Sequence, residues 1–123
     1  MQCTIKEAAE RVNLTAYTIR YYDKEGLLPF VERDDAGNRV FNDKDMEWLV
    51  LICCLKNTGM PIKKIKEYIE WCLEGDESME IRRQILVEHR QNVLDQMGEL
   101  KHNLEKINHK IDHYSSVCRV HKQ

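Results

Sequence analysis

Tyr17, Arg20, Tyr21 and Lys24 stand three or four residues apart in the stretch "YTIRYYDKEGLLP", so a helix through them carries all four on one face. An arginine offers a planar fork of donors to a guanine edge or a phosphate. Tyrosine hydroxyls and a lysine ammonium donate to phosphate oxygens. The chemistry written there is recognition of an anionic polymer. Tyr22 falls about 100° round from Tyr21 on a helix. One tyrosine of the pair can then face a ligand while the other packs beneath it. The competing reading is that the tyrosines fill the core of a small domain.

The elements that must position this face are short and strongly punctuated. Thr4 followed by Glu7 in "TIKE" is a capping-box pattern, and Ile5, Ala8, Ala9 and Val12 continue with helical spacing. Asn13 ends that helix. Thr15 caps a second, Ala16 to about Glu25, and Gly26 terminates it. Two short helices joined by so tight a turn form a helix-turn-helix. Phe30–Arg33 and Arg39–Phe41 read as two short strands around the turn cluster "DDAGN", which makes a wing. A third helix starts near Asn42 or Asp43, runs to Gly59, and is apolar almost all round from Trp48 to Leu55. It is expected to be the most buried element. Pro61 is expected in the first turn of a fourth helix, whose stripe is Ile62, Ile65, Ile69, Cys72 and Leu73.

From Ser78 to about Cys118 there is no proline, which predicts roughly 40 residues, or about 60 Å, of continuous helix. Val93, Met97, Leu100, Leu104, Ile107, Ile111, Tyr114 and Cys118 alternate by four and three residues, the coiled-coil period. Arg83 and Arg90 interrupt the seam upstream, where Ile81, Ile85, Leu86 and Leu94 spread over a wider face. One helix cannot bury its own seam, so the chain is expected to form a homodimer. The fold expected is mainly α, with a winged helix-turn-helix domain over residues 1–75 and a coiled-coil dimerisation helix over 76–123.

Composition sets the outer bounds. The chain has 123 residues, 42% hydrophobic and 33% charged, with a net charge of -2. That suits a folded, largely helical protein. No apolar run reaches the roughly 18 residues of a membrane span, and "MQCTIKEAAE" lacks the pattern of a secretory signal. A cytoplasmic location without membrane contact is expected. The slightly acidic average means that any nucleic-acid contact must come from a local basic face. No glycine-rich phosphate loop or nucleophile–base pair supports an enzyme, and no cofactor is expected.

"TIKEAAERVNLTAYTIRYYDKEGLLPF", "GNRVF" and "LKNTGMPIKKI", in that order, resemble the DNA-binding half of the MerR family of bacterial transcription regulators over about residues 4 to 73. The resemblance implies an antiparallel coiled-coil dimer that grips double-stranded promoter DNA. It distorts the DNA centre so that RNA polymerase can engage over-spaced promoter elements, with deformation energy as the regulated quantity. It also implies DNA-contacting roles for Arg20, Tyr21 and Tyr22 on the recognition helix, for Arg39 on the wing, and for Lys56 at the central phosphates. Tyr17, Lys6 and Arg33 join them by spacing alone.

Five cysteines, Cys3, Cys53, Cys54, Cys72 and Cys118, make no paired framework. Metal-responsive relatives place thiolates after the dimerisation helix. Here only Cys118 and His121 stand there, and Ser78 takes the place near the helix start, a poor set for a soft metal. His102, His109 and His113 fall on outer heptad positions and read as a solvated face. Cys54 matches a cysteine of a thiol-reactive branch of the family that responds to aldehydes and related electrophiles. It is the candidate sensing thiol, and its modification is expected to overpack the third helix. The bland alternative is that Cys54, like Cys53, is a core residue. Three other functional readings stay open: an architectural DNA-bending protein without an effector, a metal-responsive regulator, and a helical adaptor without nucleic acid.

Overall fold

The computed structural model describes residues 2–122, with side chains through residue 119; the side chain of His121 lies outside them. Two compact units divide after Ile85. The first unit holds every element except most of the last helix.

Helix α1 (Ile5–Arg11) starts as the sequence indicates. Thr4 accepts from the Glu7 amide at 3.2 Å, and Glu7 accepts from the Thr4 amide at 2.9 Å, so two otherwise orphaned donors are satisfied reciprocally. Asn13 carries a left-handed φ of 57°, which reverses the chain into helix α2 (Ala16–Lys24). Thr15 caps α2 by accepting from the Thr18 amide at 3.1 Å. Gly26 ends the segment with φ 85°, a conformation that costs a side-chain-bearing residue about 1–2 kcal/mol.

The sheet has one strand more than the sequence indicates. Strand β1 (Cys3–Thr4) pairs antiparallel with β3 (Arg39–Phe41), and β3 pairs antiparallel with β2 (Glu32–Arg33), giving the order β1-β3-β2. Cys3 stands opposite Phe41, and Arg33 opposite Arg39. The expected strand Phe30–Arg33 shrinks to its last two residues, because Val31 closes a turn onto the Leu28 carbonyl.

Helix α3 (Asp43–Asn57) opens with a second capping box, Asn42 with Asp45. Its apolar girdle is not buried all round: Leu49, Ile52, Cys53 and Leu55 are buried, whereas Val50 is 55% exposed and Cys54 is exposed. At about 100° per residue, eight consecutive apolar residues circle the helix, and the core of this unit covers one side. Helix α4 (Ile62–Leu73) has Pro61 as its N-cap, one place before the first turn. Ile65, Tyr68 and Ile69 bury its inner face. Phe41, Ile19, Leu27, Leu28, Leu49, Ile52, Ile65 and Ile69 are the fully buried centre. Each contributes about 1.5–3 kcal/mol by leaving water.

A single 3-10 turn, Asp76–Ser78, leads into helix α5 (Met79–Lys122), 44 residues long. The Ser78 hydroxyl is 2.5 Å from the Trp71 carbonyl and 2.8 Å from that of Gly75, and Arg82 donates to the same hydroxyl and to Gly75. Ser78 thus ties the end of α4 to the start of α5. Among the described residues no helix is long and apolar enough to cross a membrane.

In the second unit α5 stands unaccompanied. Met97, Leu100, Leu104, Ile107, Ile111 and Tyr114 are 53–69% exposed, and Val93 is half-buried. Six large apolar side chains at heptad spacing lie open to water.

Candidate nucleic-acid interface

Helix α2 divides its residues cleanly between two sides. Ile19 is fully buried and Tyr22 is 5% exposed, so both anchor the helix to the core. Burial pushes the Tyr22 phenol above its ordinary range. Tyr17 and Tyr21 are 79% and 44% exposed, and Arg20 and Lys24 are exposed with them. The face read from spacing is therefore present. Tyr22 does not share it: the inner side of α2 is set by Ile19, and Tyr22, three residues on, shares that stripe.

The wing stands beside this helix. Asp34 organises its turn, accepting from the Ala36 and Asn38 amides at 3.0 and 2.9 Å, while Gly37 supplies φ 86°. Arg33 donates to the Gly37 carbonyl at 2.7 Å, and its side chain stays 55% exposed. Arg39 points inward. Its Nε and Nη2 donate to the two Asp23 carboxylate oxygens at 3.0 and 2.8 Å, and its Nη1 donates to the Val31 carbonyl. Arg20, Asp23, Arg33 and Arg39 together line an open cleft of about 520 Å³ between α2 and the wing. The sequence-derived set omitted Asp23. The available signal was an acid on an otherwise cationic helix face.

Lys56 is exposed in the last turn of α3. Cys54, one turn-half before it, is exposed, and its carbonyl accepts from both the amide and the hydroxyl of Thr58, at 3.1 and 2.7 Å. Cys53 is buried, and burial first, then the neighbouring Cys54, pushes its thiol up. An adduct at Cys54 would not overpack the helix, since its side chain leaves the core. Among the described residues no group of three or more histidines, cysteines or carboxylates is placed to hold a metal.

Comparison with known proteins decides the family. A model described as "MerR HTH family regulatory protein" matches residues 3–71. The chain belongs to the MerR family. It is a DNA-binding transcription regulator, not an enzyme. It is 47% identical over 117 residues to an HTH-type transcriptional regulator of Haemophilus influenzae, covering 95% of this chain and 87% of that one. It is 38% identical over 91 residues to the HTH-type transcriptional regulator AdhR of Bacillus subtilis, covering 74% and 65%. Among solved structures it is similar to HiNmlR, a MerR family regulator lacking the sensor domain, bound to promoter DNA, with TM-score 0.87, 46% identity and coverage of 94% and 92%. A MerR family regulator from Bacillus thuringiensis gives TM-score 0.85 at 45% identity, covering 90% and 97%. The winged helix-turn-helix followed by one long helix is the MerR architecture.

Proposed function

We propose that this MerR-family regulator binds promoter DNA as a homodimer and acts by distorting the DNA between its half-sites. The observation that carries the reading is the exposed Tyr17–Arg20–Tyr21–Lys24 face of α2 set beside the wing. A helix of that chemistry fits the major groove, with Arg20 available to a guanine edge and the tyrosines to phosphates. Lys56 serves the central phosphates, and the exposed seam of α5 pairs antiparallel with a second copy. Two arginines on the upstream seam, Arg83 and Arg90, favour that direction, because a parallel in-register pair would stack each on its own copy. HiNmlR, at 46% identity, was crystallised on promoter DNA, which supports the same ligand here. RNA polymerase is then the partner that reads the distorted promoter. Cys54, exposed and two residues before Lys56, is the thiol that an electrophile would modify.

The test is binding to a duplex selected by the protein itself from a random-sequence pool, measured across a salt series. With about eight phosphates neutralised per dimer, log affinity falls against log salt with a slope near -7. Arg20→Ala costs about 1–3 kcal/mol and relaxes the sequence preference at one position. A salt-independent complex, or full affinity and selectivity in Arg20→Ala, overturns the placement of α2.

A further inference from the structure

We propose that Asp23 is a positioning residue for DNA recognition: its carboxylate fixes the wing to the recognition helix by holding Arg39 and neutralising the arginine pair of the wing. The proposal rests on the reading of α2 and the wing as a DNA surface.

Asp23 is the anomaly of that surface. An acid beside Arg20, Lys24 and Arg33 opposes phosphate binding through its charge. Its geometry explains its presence. Arg33 and Arg39 stand directly opposite each other on β2 and β3, a pairing of like charges that weakens a two-stranded ribbon. The Asp23 carboxylate is 2.8 Å from Arg39 and 3.8 Å from Arg33 and relieves both. Its grip on Arg39 is bidentate, through Nε and Nη2, the arrangement that adds direction as well as strength to an arginine–carboxylate contact. The same guanidinium reaches the Val31 carbonyl, at the entry to β2. One side chain therefore joins α2, β3 and the segment leading into β2.

The contact is sheltered: the Asp23 and Arg39 side chains are 19% and 21% exposed, against 55% for Arg33. Strands of two and three residues give the wing few ladder bonds of its own, and so short a ribbon is not independently stable. β3 is held on its other edge by β1, and the Asp23–Arg39 pair adds the direct tie between the wing and α2. Arg33, on the same face of the ribbon but more exposed and farther from Asp23, is the wing cation left for the phosphates, while Arg39 is bound to Asp23.

The experiment compares the parent with Asp23→Asn, Asp23→Glu, Arg39→Ala and the double variant Asp23→Asn/Arg39→Ala on a duplex that the parent has selected from a random pool. Failure of the parent to select any duplex sinks the DNA-binding reading itself and is distinguishable from every outcome below. Asp23→Asn removes a negative charge from the DNA face, so electrostatics alone predicts tighter binding. Positioning predicts the opposite, a loss of about tenfold, the scale of one charge-assisted hydrogen bond. Its salt slope stays at the parent's value, because no cation is lost. The double variant binds no worse than Arg39→Ala, and Asp23→Glu recovers affinity to within about threefold of the parent, since a carboxylate is kept. In Asp23→Asn the amides of residues 34–38 exchange faster while those of α1 and α3 do not, which separates a released wing from a loosened fold. Parental or tighter binding by Asp23→Asn, or losses that multiply in the double variant, overturns the proposal.

Discussion

Tyr21 and Tyr22 are chain neighbours with ring centroids 6.1 Å apart and planes tilted by 51°, yet one is 44% exposed and the other 5%. Their substitutions should separate binding from folding. Tyr22→Ala removes a buried aromatic ring and is expected to cost about 3–5 kcal/mol of stability. Tyr21→Ala removes surface and is expected to stay within about 0.5 kcal/mol of the parent, while weakening DNA binding. Urea unfolding and anisotropy titration of the two variants read both effects. A Tyr21→Ala protein that unfolds early, or a Tyr22→Ala protein that does not, reverses the assignment.

The helices were legible because their signals are local. Thr4 and Glu7 cap within one turn, and Gly26 stops α2 at the residue that carries φ 85°. What escaped is what the chain brings together from a distance. Strand β1 is two residues long and finds its partner at Phe41, so neither length nor alternation marks it. The Asp23–Arg39 pair spans sixteen positions, and no spacing rule joins a helix acid to a wing arginine. Periodicity placed Tyr17, Arg20, Tyr21 and Lys24 on one face correctly. It could not say which of Tyr21 and Tyr22 met the core until Ile19 fixed the inner side. The apolar run alone does not separate Cys53 from Cys54; the resemblance singles out Cys54, and packing puts Cys53 in the core and Cys54 at the surface.

Alkaline solution should weaken the fold through Cys53. Burial holds this thiol above its ordinary value in the folded chain. The unfolded thiol titrates at about pH 8.5. Above that pH the unfolded state has released a proton that the folded state keeps, so stability falls as pH rises toward the folded value. Below about pH 8.5 the thiol is neutral in both states and contributes no slope. Urea midpoints at pH 7.5 and 9.5 measure the drop. Cys53→Ala should shrink it, and an unchanged pH dependence in that variant removes Cys53 as its source. The raised phenols of Tyr22 and Tyr68 add a second decline starting near pH 10.

The open seam of α5 makes the oligomeric state a direct test. Leu104 and Ile107 are 54% and 56% exposed in the single chain. In a coiled-coil dimer each would be enclosed, and a buried unpaired carboxylate is costly enough to break the pair. Leu104→Glu and Ile107→Glu are expected to sediment as monomers, and to lose most DNA affinity because two half-sites are no longer held together. Unchanged dimers would mean that the seam is not the interface.

Cys54 carries the last prediction. It and Cys118 are exposed, Cys72 is half-buried, and Cys3 and Cys53 are buried. A maleimide added to the folded protein should therefore label Cys54 first, with Cys118 slowed where the dimer seam encloses it and Cys53 reacting only after denaturation, as peptide mass mapping will show. An adduct at Cys54 leaves the core intact, so its effect must fall on whatever approaches that surface; Lys56 lies about 200° round α3 from it and feels it only through the helix. Bulk there would shift the dimer between binding DNA and distorting it. Coupling of about 1–3 kcal/mol, or roughly 5–150-fold, is the usual scale for such a change. Transcription in vitro from the selected operator placed in an over-long promoter spacer, with and without an aldehyde, reads it. Cys54→Ser should bind the operator as the parent does and lose the response. Cys53→Ser, Cys72→Ser and Cys118→Ser should keep it. A Cys54→Ser protein that still responds would leave Cys54 as a surface thiol with no sensing role.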